Sequence, residues 1–411
     1  MGQNERSAWF DCACCITNMA RFLPSMPGYI YAHEGNNLYV NLFVGSDAHV
    51  SLSDGSMEVR QKTEYPWSGK VDLSVDPASP LRATLHIRIP GWAKGAPIAS
   101  ALYYYVSEKK AGVPLTVNGQ RVEYQEENGY AVLTRTWKQG DRISIDFPMP
   151  TEKVLANGRV RDDAGRFVFQ RGPIVYCLEG PDNPDSLVRN IMVDTGATAE
   201  VSYHPTVLGG IDELTVTGLA LKRQPGDTTL LERSGTVTAI PYFAWANRGP
   251  SEMTVWVPYE RAASMPLPFP TIASRSKVSS SIGTPRMLKA INDQYDPKDA
   301  NDHSMPYFHW WPRRNSTQWV QYDFAGPGMV SSSKVYWFDD GPWGGCRIPA
   351  SWRLLYLKDG AWVPVHNTGA YEVAKDRYCT VAFDPVTTTA LRLEVVLPAD
   401  NSAGIHEWSV Q

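Results

Sequence analysis

The chain has 411 residues, enough for two to three domains with cores of their own. Its 39 basic and 43 acidic residues leave a formal net charge of −4, which offers no basic footprint for nucleic acid and no polybasic membrane patch. No apolar run approaches the ~18 residues needed to span a bilayer, and six scattered cysteines do not make a disulfide scaffold in a chain this long. Fourteen Trp and twenty Tyr in a Gly- and Pro-rich chain fit a carbohydrate partner, because sugar faces stack on aromatic rings.

Three cysteines, Cys12, Cys14 and Cys15, crowd the segment "FDCACCITNMARFL". Ile16, Met19, Ala20, Leu23 and Met26 then recur at helical spacing, and Pro24 and Pro27-Gly28 are expected to stop the helix. After Gly28 the period changes to two. "YIYAHEGNNLYVNLFVGSDAHVSL" alternates apolar and polar residues around a turn at Gly35-Asn36-Asn37. "ATLHIRIPGWA", "PLTVNGQRVEY", "GYAVLTRTW" and "RISIDFPM" continue as short strands, and Asn118-Gly119 predicts a two-residue type I′ turn. Strands at this spacing predict a β-sandwich region over 28–264, in two sub-units that break near 180–190. "MPLPFP" predicts a stiff, extended connector over 265–271. From Ile272 onward "QWVQYDF", "SSKVYWFDD", "SWRLLYLKDGAWVPV", "ALRLEVVL" and "IHEWSV" predict a second all-β unit, 272–411. The expected fold class is mainly β, with tandem β-sandwich or jelly-roll domains after a short helical segment, 1–27.

Adjacent cysteines such as Cys14 and Cys15 rarely reach disulfide geometry without backbone strain. Thiolates bind Zn²⁺ well, with four ligands in a closed site. The chain has no CxxC and no second cysteine pair, and His33 and Glu34 stand beyond the helix and a turn. The ligand set therefore reads as incomplete. A helix N-terminus, or a metal, also lowers a thiol pKa and makes the thiolate nucleophilic. The bland alternative is that small cysteines pack beneath the helix.

"FDCACCITNMARFL", followed in order by "GYIYA", "LYVNLFVGS", "IRIPGW", "VNG" and "FQRGPIVYCLEG", resembles the β-L-arabinofuranosidase family, glycoside hydrolase family 127. The resemblance covers about Trp9 to Glu179. It implies an (α/α) barrel that carries the active site, followed by β-sandwich domains. It also implies a retaining glycosidase with a Zn²⁺-bound cysteine thiolate as nucleophile. Carried over by motif, Cys14 resembles that nucleophile and a zinc ligand, and Cys15 resembles a second ligand. Cys12 matches the motif's first cysteine, with no role carried over. In the family, the barrel, its acid/base glutamate and the remaining Glu and Cys ligands precede this motif. The resemblance thus implies the C-terminal part of a longer, periplasmic or extracellular enzyme. Residues 1–27 would be the remnant of a helical barrel that is otherwise a missing partner.

"AINDQYDPKDANDHSMPYFHWWPRRNSTQWVQYDF" through "GIHEWSV" resembles the discoidin-like, or F5/8 type C, carbohydrate-binding fold over 272–411. The resemblance implies a structural Ca²⁺ near the chain ends, where Asp293 and Glu407 occupy matching positions and offer the oxygens a hard cation prefers. The alternative for Asn292-Asp293 is an Asx turn. Trp310 and Trp311, with Phe308 and His309, form an aromatic group that either stacks a sugar or alternates into the core. "WFDDGPWGGCRIP" places Asp340, Trp343 and Arg347 on a loop suited to carbohydrate binding or to a structural role.

Two functions compete. One is the C-terminal part of a retaining glycoside hydrolase acting on plant-glycan arabinofuranosides. The other is a stand-alone all-β carbohydrate-binding protein without catalytic activity. A redox or zinc-storage site rests on the cysteines alone. No nucleic-acid or membrane partner is expected.

Overall fold

In the computed structural model, which describes residues 6–9, 12–107, 112–223, 229–282 and 285–411, helix α1 spans Ala13–Ser25. Cys12 is its N-cap, in extended backbone at φ −130° and ψ 104°. Pro24 lies inside the helix and does not end it. A proline in the final turn forfeits only its own N–H bond, and the turn closes beyond it through Met26 N–H, which donates to Phe22 O at 3.0 Å. Pro27 then opens a further helical turn, Pro27–Ile30, because a proline at the first position needs no N–H. Alternation starts at Tyr31. None of the residues of α1 is buried, and Ile16, Met19, Phe22 and Leu23 are exposed.

The chain divides into two compact units, one reaching to Leu267 and one running from Pro268 to Gln411. The first begins with a sandwich of two sheets. One sheet is built from 31–34, 37–40, 81–88, 130–137 and 125–127, and the other from 46–52, 55–63, 70–77, 141–146, 115–117 and 120–121. Period two decides which face is buried: along Lys70–Pro77, Val71, Leu73 and Val75 point inward. They meet Leu38, Leu85, Ile87, Trp137 and Phe147 in one core. Trp137 keeps its indole satisfied by donating from Nε1 to Ala83 O at 3.1 Å. Asn118 (φ 53°) and Gly119 (φ 78°) form the hairpin turn in the doubly left-handed backbone that type I′ requires.

A ten-stranded sheet follows, with Thr151–Ala156, Arg166–Arg171, Ile174–Glu179, Ile211–Arg223 and Leu230–Pro241 as its main strands. It corrects the break placed near 180–190. Ile174–Glu179 pairs with Arg166–Arg171 on one side and Leu230–Pro241 on the other, so the sheet runs through that region. The change of sheet falls between Asp146 and Thr151. Phe167, Phe169, Tyr176, Leu178 and Val237 form its core. Glu179 is fully buried and meets Arg248 at 2.5 Å. The start of the proline run is pinned to this unit: Met265 N–H donates to Arg189 O and Leu267 N–H to Leu221 O.

The second unit is a seven-stranded sheet system dominated by two long strands, Thr317–Phe338 and Tyr378–Val396, which pair antiparallel. Register shifts at Asp323/Gly328 and Val330/Ser332 interrupt the ladder, and such irregularities let one strand bend. Trp310, Trp337, Trp408 and Tyr322 are fully buried. Tyr322 stacks on Trp408 with ring centroids 4.1 Å apart, and its hydroxyl donates to Trp408 O at 2.6 Å.

Candidate functional site

Cys12 Sγ lies 2.9 Å from Cys14 Sγ, and Cys14 Sγ lies 3.9 Å from Cys15 Sγ. The three sulfurs sit within 4.8 Å of one another. Cys14 and Cys15 are exposed and Cys12 is half-buried. The first turn of α1 carries no acidic residue and Cys12 makes no side-chain cap, and the positive end of the helix dipole lies at the thiols. The side-chain contact with Cys14, and then the backbone N–H groups of Cys14 and Cys15, hold the Cys12 thiol below its ordinary pKa. Its own side-chain contact with Cys14, and then the charge of Cys12, push the Cys15 thiol up. Among the described residues no carboxylate or imidazole joins the cluster. His33 and Glu34 lie on the strand Tyr31–Glu34, outside it. Three soft donors within 4.8 Å of one another could bind a metal ion, and the pair Cys14 and Cys15, 3.9 Å apart, stands close to the sulfur separation of two ligands on one tetrahedral Zn²⁺; an exposed thiol at a helix N-terminus suits a nucleophile.

The aromatic candidates of the second unit separate. Trp310 is 0 % exposed and belongs to the core, which corrects its assignment to sugar stacking: alternation along the extended chain turns its ring inward. Trp311 is 49 % exposed and Trp343 is 96 % exposed. Trp311 lies flat across Gly345, where a Cβ would fall 2.3 Å from the ring. Asp340 and Arg347 act on their own loop. Asp340 Oδ1 accepts from Cys346 N–H at 2.7 Å. Arg347 Nη1 donates to Gly344 O at 3.0 Å and Cys346 O at 2.6 Å, and its Nη2 donates to Pro342 O at 3.2 Å. Asp339, almost fully buried, accepts from Gly341 N–H, Ile348 N–H and Lys375 Nζ. Sequence reasoning missed Lys375, and also a stack in which Arg392 lies 4.5 Å from the Trp319 ring and 4.1 Å from the Trp362 ring. Those partners come from separate strands, and no local spacing announces them.

Asp293 and Glu407 converge on one turn. Asp293 Oδ1 accepts from Tyr295 N–H at 3.0 Å, the Asx turn, and Glu407 Oε2 accepts from Gln294 N–H at 3.0 Å. Burial, reinforced by the charges of Asp293 and Asp296, pushes the Glu407 carboxyl well above the usual range. A buried carboxylate facing like charges is a site a hard cation relieves.

Residues 37–149 match the family described as "Beta-L-arabinofuranosidase, GH127 middle domain", and residues 151–258 match "Glycoside hydrolase family 127 C-terminal domain". A non-reducing end β-L-arabinofuranosidase of Bifidobacterium longum is 32% identical over 268 residues, which cover 62% of this chain and 38% of that protein. Among solved structures, a GH127 β-arabinofuranosidase superposes with a TM-score of 0.61 at 37% identity, covering 64% of this chain and 41% of the other. The GH127 β-L-arabinofuranosidase of Geobacillus stearothermophilus T6 gives 0.55 at 36% identity, covering 62% and 39%. The chain thus spans about two fifths of the length of these relatives. With both β domains matched in order behind the three-thiol helix, the chain belongs to glycoside hydrolase family 127.

Proposed function

We propose that this chain supplies the nucleophile segment and accessory β domains of a retaining β-L-arabinofuranosidase that acts on arabinofuranosides of plant glycans outside the cytoplasm. The observation that carries the reading is the exposed three-thiol cluster at the N-terminus of α1, directly ahead of the two matched domains. Cys14 is the nucleophile: its thiolate attacks the anomeric carbon and forms a thioglycoside, which water then hydrolyses. Cys14 and Cys15 would hold zinc, which when bound keeps a coordinated thiol deprotonated at neutral pH. Protonation of the leaving oxygen falls to a carboxyl group outside the cluster, which a helical barrel acting with this chain would provide. The test is mass spectrometry after incubation, in the presence of the helical domain, with an activated fluoro-arabinofuranoside. A sugar adduct on Cys14 is expected, and an adduct on another residue overturns the assignment.

A second activity belongs to the Pro268–Gln411 unit. Trp311 and Trp343 are exposed on one braced loop system, which supports carbohydrate binding by a discoidin-like module, with Asp293 and Glu407 as calcium ligands. Affinity electrophoresis of the full chain in arabinan gels should show retardation that Trp343→Ala weakens. Equal mobility with and without glycan overturns this reading.

A further inference from the structure

We propose that Cys12 and Cys14 form a peroxide-responsive modification site, in which Cys12 is the resolving thiol that captures oxidised Cys14 as a disulfide. Cys14 is exposed at the start of α1, where peroxide reaches it. The nearest sulfur is that of Cys12, at 2.9 Å, against 3.9 Å for Cys15. A disulfide needs the sulfurs about 1 Å closer than that. Cys12 can supply the movement, because it is the extended N-cap residue ahead of the helix. Cys15 cannot do so as easily. It is fixed in the helical backbone next to Cys14, so the two side chains point about 100° apart around the axis, and a bond between neighbours strains the backbone. The other thiols are protected. Cys177, Cys346 and Cys379 are buried, and burial pushes the Cys177 and Cys346 thiols up to about 12.

The chemistry balances with hydrogen peroxide as the oxidant. The Cys14 thiolate attacks one peroxide oxygen, which gives a sulfenic acid and releases hydroxide. The Cys12 thiolate then attacks that sulfur, forms the S–S bond and expels a second hydroxide. Two protons, one from each thiol, convert both hydroxides to water. Two thiols are oxidised by two electrons, and one peroxide is reduced. A dithiol such as dithiothreitol reverses the bond by exchange. Without Cys12, the only thiol left beside the sulfenic acid is Cys15, whose bond to its neighbour strains the backbone, so the sulfenic acid oxidises further to sulfinic acid, which thiols do not restore. The inference needs only that Cys14 be reactive and is read by mass, so it stands or fails apart from the glycosidase reading.

The experiment exposes the full chain to peroxide, alkylates the remaining thiols, digests it and reads the Cys12–Cys15 peptide by mass. The expected product is a Cys12–Cys14 bond, two hydrogens lighter, with both thiols restored by dithiothreitol. In Cys12→Ser the recoverable Cys14 thiol should fall at least ~10-fold as sulfinic acid accumulates, whereas Cys15→Ser should still form the Cys12–Cys14 bond and release it to dithiothreitol. A bond to Cys15, a bond between chains, a Cys12→Ser protein restored as fully as the unaltered one, or no oxidation where free cysteine is oxidised would each overturn the proposal.

Discussion

The thiol cluster on α1 and the loop from Asp339 to Arg347 are both short and polar, and they are held in opposite ways. The thiols owe their geometry to three of four successive positions, the N-cap and first turn of a helix of which no residue is buried. The loop owes its geometry to itself. Asp340 takes up Cys346 N–H, Arg347 ties down three carbonyls, and Asp339 gathers two N–H groups and Lys375. One turn of helix is enough to display a group of thiols, whereas any carboxylate or imidazole to act with them lies outside the cluster among the described residues. A recognition surface must be rigid before any ligand arrives, so its bracing lies within its own unit.

The largest expected effect tests the incomplete side. Residues 1–411 alone should hydrolyse an aryl β-L-arabinofuranoside at least ~10²–10⁴-fold more slowly than a typical enzyme rate of ~10 s⁻¹, because among the described residues no carboxyl group joins the thiol cluster to act as general acid. Turnover of the purified chain measures this directly. An ordinary rate would mean that the acid/base group lies within these residues, and the contrast between the sites would collapse.

Stability sharpens the complete side. Trp310→Ala should cost about 3–5 kcal/mol in denaturant unfolding, as for other fully buried aromatic truncations. Trp343→Ala, at the exposed loop tip, should stay within about 0.5 kcal/mol. Equal costs would place Trp343 under packing that its 96 % exposure rules out.

These cases show what the sequence made legible. Asn118-Gly119 announced its turn because two adjacent residues determine it. The thiol cluster was legible for the same reason: Cys12, Cys14 and Cys15 come together within four positions. Trp310 and Trp311 were not separable by composition, since a shift of one residue decides which ring faces the core. Pro24 was misread as a stop because a proline in the last turn loses only one hydrogen bond. The sheet boundary near Thr151 was invisible because the pairing of Ile174–Glu179 with Leu230–Pro241 spans tens of residues. Asp340 and Arg347 were found as residues, but their bonds to the loop carbonyls follow only from the folded backbone.

Metal retention should again divide the sites. Zinc on exposed thiols that no carboxylate or imidazole joins among the described residues should exchange to a chelating dye far faster than from a closed four-ligand site. Zinc that survives prolonged chelation at one equivalent per chain would show a completed shell. On the braced side, Gly345→Ala sets a Cβ against the Trp311 ring. It should cost about 1–3 kcal/mol as overpacking and should weaken any glycan retardation. Unchanged stability and unchanged binding would show that the Trp311 ring neither packs on Gly345 nor takes part in glycan binding.

The smallest effect is a pH slope beside the same loop. His309 Nδ1 is buried without a hydrogen-bond partner. Burial holds the imidazole below its ordinary pKa, although the Asp340 carboxylate pulls the other way. Below about pH 6.5 the unfolded chain takes up a proton at this residue that the folded chain does not. The unfolded state therefore binds more protons there, and stability rises with pH. The contribution of His309 is fully present above that value and is lost as pH falls through it toward the folded pKa. His406 and His86 are also held low by burial, so the measurement must be a difference between the unaltered chain and His309→Gln. Urea midpoints from pH 7.5 to 5 should fall less steeply in the variant, with the two curves converging in shape above about pH 7. Parallel curves across the whole range would show that the imidazole is solvated in the folded protein, and the loop would then be less tightly closed against His309 than the buried Nδ1 requires.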